Sequence, residues 1–181
     1  KDKFIDIGSQ KTIKFLKKNK SFLKQKAIFL DRDGVINTVK KNDYIKSYNE
    51  LKFLPGVVDA IKYININNYL VIIITNQACI GKGIISEKTL ETIHNKMKKK
   101  LKSKNNAYID DIFYSPYYKF SDNKKYRTNK FDRKPNPGML VKAIKKWNID
   151  IRKSFFIGDS LTDYQSSNTM KIKFYYKSNL K

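Results

Sequence analysis

Short, wholly apolar runs that end abruptly in acidic or amide-bearing loops recur along this chain. They restrict its fold more than any other feature. AIFL (27–30) breaks into DRDG, YLVIIIT (69–75) into NQACIGKG, and SFFIGD (154–159) into an acidic segment. A strand that is apolar on both faces must be covered on both faces, as in the parallel sheet of an α/β layer fold. DIFYSP (111–116) and IKFYY (172–176) supply two more strands. Between the strands lie helical patterns. Pro55 and Gly56 open a helix over 57–67 with Val57, Val58, Ile61 and Ile64 on one face. Ser86 caps a second helix running to about Leu101, and Asn136 and Pro137 form the N-cap and first turn of a third, through Trp147. The expected fold is a Rossmann-like parallel sheet flanked by helices on both faces, with right-handed crossovers.

Composition narrows the functional classes. The formal charge of +23 would ordinarily suggest a polyanionic partner. Lysine dominates the cations, however, and Ile, Asn, Tyr and Phe are equally crowded, the bias that an AT-rich genome imposes on any protein. We therefore read a solvated lysine coat that adds a positive field around an anionic substrate, with nucleic acid not expected as a partner. One cysteine (Cys79) and one histidine (His94) exclude an intrachain disulfide and a Cys/His zinc cage. With no disulfide to form, a reducing cytoplasm is the expected location, and since no apolar run approaches the roughly 20 residues of a membrane span, no membrane partner is expected. The 181 residues suit one catalytic domain, 26–181, preceded by a basic tail or linker, 1–25, with a helical stretch around 12–23.

In parallel α/β folds the ligand sits beyond the carboxyl ends of the strands, so DRDG, TNQ and GDSLTD should converge on one crevice. An isolated Asp-x-Asp is more often a solvated turn. Here Asp31 and Asp33 follow a strand, Gly34 permits a tight turn, and two carboxylates so close imply a cation or a shared proton. Asp159 and Asp163 follow another strand and add oxygen donors of the kind Mg²⁺ prefers. Thr75 and Asn76 contribute a hydroxyl and an amide. Lys134 stands just ahead of a capped helix, and without that setting it would be one more surface lysine.

The run FLDRDGVIN resembles the first motif of the haloacid dehalogenase phosphatases, TNQ their second, Lys134 in DRKPNPG their third and GDSLTD their fourth. The four occur in order over residues 27 to about 176. FLDRDGVIN, TNQACIGKG and RKPNPGML are more narrowly similar to the branch that acts on heptose 1,7-bisphosphate and histidinol phosphate. The resemblance implies a minimal cap, Asp31 as nucleophile and Asp33 as acid and base. It also implies Mg²⁺ on Asp31, Asp159 and the carbonyl of Asp33, with Thr75 and Lys134 on the phosphoryl oxygens. Asn76, Gln77, Arg133 and the segment 42–44, Tyr44 included, are implied to meet the substrate. Arg133 is suited to bind a second phosphate bidentately. Lys82 falls where that branch often has a basic residue. One departure stands out: the branch's zinc-binding cysteines and histidine align with Ser115, Tyr117, Lys130 and Asp132, so no zinc is expected.

The N-terminal FIDIGSQKTIKFL resembles the end of sugar-phosphate nucleotidyltransferases, which implies an upstream fused domain and favours a heptose substrate. The expectation is thus a Mg²⁺-dependent phosphomonoesterase, a monomer, acting on a sugar bisphosphate, D-glycero-D-manno-heptose 1,7-bisphosphate first. Histidinol phosphatase, polynucleotide end phosphatase and a catalytically silent polyanion-binding module are the alternatives.

Overall fold

The computed structural model describes residues 9–18, 24–127 and 130–179. The FIDIG segment and residues 19–23 of the expected N-terminal helix lie outside these residues. Within them, α1 spans Gln10–Lys18. The five strands are β1 (Ala27–Leu30), β2 (Leu70–Asn76), β3 (Asp111–Ser115), β4 (Phe155–Gly158) and β5 (Lys173–Tyr176). They form one parallel sheet in the order β3-β2-β1-β4-β5. The chain first winds outward through β2 and β3, then returns to the other side of β1. Its switch point therefore lies between β1 and β4, where Asp31 and Asp159 emerge. This is the α/β fold that the apolar runs require.

The remaining helices are α2 (Val57–Ile66), α3 (Ala78–Gly81), α4 (Glu87–Asn105), α5 (Gly138–Trp147) and α6 (Leu161–Thr169). Strand alternation divides the core in two. Val71 and Ile73 face one way with Ile61 of α2 and with Ile93, Met97 and Leu101 of α4. Ile72 and Ile74 face the other way with Phe29, Phe156 and the α5 residues Met139, Leu140 and Ala143. Ser86 caps α4 by accepting from the Thr89 amide at 3.0 Å.

Two local expectations need correction. Pro137, not Asn136, is the N-cap of α5, and the Asn136 amide instead donates to the Lys130 carbonyl at 2.9 Å. The loop after β2 contains the short helix α3, where an unbroken loop had been expected. Asn65, buried on α2, donates to the Tyr108 carbonyl and accepts from the Tyr108 amide, pinning the α4–β3 connection.

Phe156 is fully buried between Phe29 and Phe174, with ring centroids at 6.4 and 5.8 Å. Phe156→Ala should cost about 3–5 kcal/mol of unfolding free energy, the range for deleting a buried aromatic ring. Urea denaturation measures it, and a loss below about 1 kcal/mol would contradict this packing.

Candidate active site

The carboxyl ends of β1, β2 and β4 bring three polar segments together, and the ammonium of Lys134 lies at their centre. Its Nζ is 2.9 Å from Asp31 Oδ1, 2.6 Å from Asp163 Oδ1 and 2.8 Å from the Ile74 carbonyl it donates to. Lys134 is only 3% exposed. Burial alone would lower its pKa, but the two carboxylates raise it above the ordinary lysine value. Asn76 holds the lysine's backbone from both sides, donating to the Lys134 carbonyl at 3.0 Å and accepting from its amide at 3.1 Å.

Asp31, Asp159 and Asp163 each present an oxygen within 4.8 Å of the others. Burial raises Asp31 to about 6 against the pull of Lys134, with Asp163 adding to the rise. Burial and Asp163 likewise raise Asp159. Three carboxylates, two of them buried and that of Asp159 exposed, against one ammonium leave two uncompensated negative charges. All the donors are hard oxygens, so the site fits a hard divalent cation. Asp163 is wholly buried and also organises its own loop, since its Oδ2 accepts from Ser160 Oγ at 2.7 Å and from the Ser160 amide at 3.1 Å. That capping box starts α6 and fixes the loop carrying Asp159. Gly34 has φ +88°, and a Cβ there would lie 1.7 Å from Asp159 Oδ2, so only glycine fits beneath that carboxylate.

Asp33 belongs to a second network. Its carboxylate accepts from Arg32 Nη2 at 2.9 Å, Asn37 Nδ2 at 2.8 Å and Gln77 Nε2 at 3.0 Å. Burial alone would raise its pKa; the Arg32 charge and the Asn37 and Gln77 hydrogen bonds outweigh it and hold the group below its ordinary value. Gln77 is 1% exposed, and its amide nitrogen also donates to Thr75 Oγ1 at 2.9 Å. Both Asn76 and Gln77, expected to meet substrate, thus spend these amide groups on the framework. Arg32 and His94, which sequence reasoning passed over, complete the network. His94 had one available signal, its place on the inner face of α4 in step with Leu90 and Met97.

Arg133 is partly buried, which lowers its pKa against the opposing influence of Tyr44, and it donates to the Tyr117 carbonyl at 2.9 Å. With Tyr118, Arg127, Lys130 and Lys134 it lines a cavity of about 330 Å³. Tyr44 joins the same side through Lys82, whose ammonium stands over the Tyr44 and Tyr118 rings at 5.3 and 4.9 Å. The segment carrying Ser115, Tyr117, Lys130 and Asp132 is tied down by protein groups. Glu87 at the start of α4 accepts from Tyr126 at 2.6 Å and Lys125 at 2.7 Å, and Tyr118 donates its amide to the Tyr126 carbonyl.

The family model described as polynucleotide kinase 3 phosphatase matches residues 26–178. D-glycero-beta-D-manno-heptose-1,7-bisphosphate 7-phosphatase of Rhodopseudomonas palustris is 37% identical over 146 residues, which cover 81% of this chain and 79% of that protein. The D-glycero-alpha-D-manno-heptose-1,7-bisphosphate 7-phosphatase of Campylobacter jejuni is 36% identical over 144 residues, covering 80% and 77%. The crystal structure of D,D-heptose 1,7-bisphosphate phosphatase from B. bronchiseptica, complexed with magnesium and phosphate, matches with a TM-score of 0.75 at 30% identity. That match covers 83% of this chain and 79% of that one. The chain belongs to the haloacid dehalogenase superfamily of phosphatases. The phosphatase contains no described helix long and apolar enough to cross a membrane.

The raised Asp31 pKa gives a signed prediction for this phosphatase. Below about pH 6 the metal-free fold holds Asp31 protonated, and a cation must displace that proton. At pH 7.5, MgCl₂ at about 100 times its Kd should stabilise the protein by about 2.7 kcal/mol, a Tm rise of roughly 5–11 °C. At pH 5 the rise should shrink to a fraction of that. Scanning calorimetry at the two pH values checks it, and an equal or larger rise at pH 5 would contradict the assignment.

Proposed function

We propose that this phosphatase removes one phosphate from a sugar bisphosphate, D-glycero-D-manno-heptose 1,7-bisphosphate, by way of an aspartyl-phosphate on Asp31. The supporting observation is the contact of Asp31 with Lys134 inside a cluster whose charge is balanced only when a divalent cation joins it. The names of the relatives support the substrate class. Asp31 and Asp159, with the backbone carbonyl of Asp33, would hold Mg²⁺, which supplies charge neutralisation and orients the phosphoryl group.

Phosphoryl transfer depends on positioning and on stabilising equatorial charge. Asp31, poised by Lys134, attacks phosphorus. Lys134 and the Thr75 hydroxyl, whose proton is free to donate while its oxygen accepts from Gln77, then carry the charge on the equatorial oxygens. Asp33 gives a proton to the departing sugar oxygen and afterwards takes one from the water that hydrolyses the aspartyl-phosphate. In the free enzyme Arg32 keeps Asp33 ionised, the form the second step needs. The arriving phosphate dianion favours the protonated form, as the first step needs.

Arg133, which lines the cationic cavity, binds the second phosphate with Tyr44 near it, and Asn76 and Gln77 position Lys134 and Asp33. The protein needs no zinc, because Glu87, Tyr126 and Lys125 hold the segment that zinc would otherwise shape. It works in the cytoplasm as a monomer, as the phosphatase part of a chain whose upstream domain is a nucleotidyltransferase. Phosphate release from heptose 1,7-bisphosphate is the test. After EDTA treatment Mg²⁺ alone should restore it, and Asp31→Asn should abolish it, losing at least about 10³-fold. Dependence on added zinc, or activity surviving in Asp31→Asn, would overturn these assignments.

The matched family model and the charge of +23 favour one second reading, action on the 3′ phosphate of a polynucleotide. That reading requires activity on DNA ends that falls steeply with salt. Retained sugar bisphosphate turnover across the same salt range supports the first.

A further inference from the structure

Arg32 is 1% exposed, and a cation so buried needs its donors matched. Its Nε donates to Asp33 Oδ1 at 3.2 Å, and its Nη2 donates to both Asp33 oxygens at 3.0 and 2.9 Å and to Gln77 Oε1 at 3.0 Å. Its Nη1 meets His94 Nε2 at 3.1 Å. A guanidinium only donates, so the imidazole must accept through Nε2 and carry its proton on Nδ1. The imidazole is 5% exposed. It comes from α4, an element that contributes none of the catalytic groups assigned above.

The guanidinium is planar and its donors form a rigid fork. Fixing Nη1 on one side therefore fixes the plane in which Nε and Nη2 meet Asp33 on the other. Gln77 closes the arrangement, bridging Arg32 and Asp33 through its two amide atoms. The carboxylate is thus held in one orientation by groups that are themselves buried. Misplacing a general acid by about 1 Å can cost on the order of 10²-fold in rate.

We propose that His94 is a positioning residue for the acid–base step, its Nε2 lone pair setting the Arg32 guanidinium plane and, through it, the orientation of the Asp33 carboxylate. This rests on the acid–base reading of Asp33 given above. Burial and the Arg32 charge, which pull the imidazole down to about 3, keep the acceptor form through the working pH range. Asp33 also takes the proton of the hydrolytic water, a step common to every substrate, so the role is separated from mere packing in kcat/KM, which reports only the steps up to departure of the leaving group. An alkyl sugar oxygen must be protonated as it departs, whereas the phenolate of p-nitrophenyl phosphate leaves without a proton.

Two measurements test it. His94 is the only histidine in the chain, so a ¹⁵N-histidine-labelled sample of the wild-type protein gives a single imidazole spectrum. The expected spectrum is that of the neutral Nδ1–H tautomer at pH 7, and an Nε2–H tautomer or an imidazolium would overturn the proposal. In kinetics, His94→Leu should lower kcat/KM on the sugar bisphosphate on the order of tenfold while changing kcat/KM on p-nitrophenyl phosphate less than about twofold. His94→Gln, which keeps an acceptor, should recover most of the loss. Equal losses on both substrates, or no recovery by glutamine, would overturn it. Asp33→Asn is the reference. If it shows no such leaving-group dependence, the acid–base reading falls and the proposal with it. If Asp33→Asn shows the dependence and His94→Leu does not, the proposal alone falls.

Discussion

The ammonium of Lys134 holds the rest of the site in place. It bridges Asp31 after β1 and Asp163 on α6, and it also donates to the Ile74 carbonyl in β2. One side chain thus ties three chain segments that are distant in sequence. Removing it would leave two carboxylates facing each other with little water to screen them, and breaking a buried pair in this way typically costs about 3–5 kcal/mol. The surrounding structure protects the arrangement: Asn76 holds the lysine's backbone, Phe156 packs beneath it, and the Ser160–Asp163 box fixes the opposite partner.

Beside this cluster lies one of a different electrostatic character. Around Lys134 negative charge exceeds positive, which suits a site awaiting a cation and a phosphate. Around Arg32 the charges already match: Asp33 pairs with the guanidinium, and the neutral groups His94, Gln77 and Asn37 add hydrogen bonds to that pair. The first cluster can change its charge during turnover, while the second supplies a fixed frame for the one carboxylate that must move protons. Gln77 ties the second to the end of β2 by donating to the Thr75 hydroxyl.

The strands were readable because a buried parallel strand leaves an uninterrupted apolar run, and each such run was followed by the loop that bears chemistry. Helix starts were legible where a hydroxyl capped them, as at Ser86. Asn136 misled because an asparagine before a proline has the form of a cap, although its amide is drawn to the Lys130 carbonyl instead. The positions of Asp31, Asp159 and Lys134 followed from strand ends and motif order. The orientations of Asn76 and Gln77 did not, since a sequence gives an amide's place but not its partners. Arg32 and His94 were passed over for a related reason. Lysines surround His94 in the sequence, and its value as an acceptor comes from a guanidinium 62 positions away in the chain.

Covalent chemistry at Asp31 is the claim on which the mechanism rests. Rapid acid quench of the phosphatase during turnover, followed by borohydride reduction and peptide mass spectrometry, tests it. The predicted result is a reduced residue at position 31, formed only with substrate and a divalent cation and absent after Asp31→Asn. Label on any other carboxylate, or turnover proceeding with no trapped intermediate while direct transfer to water is shown by inversion at phosphorus, would contradict it.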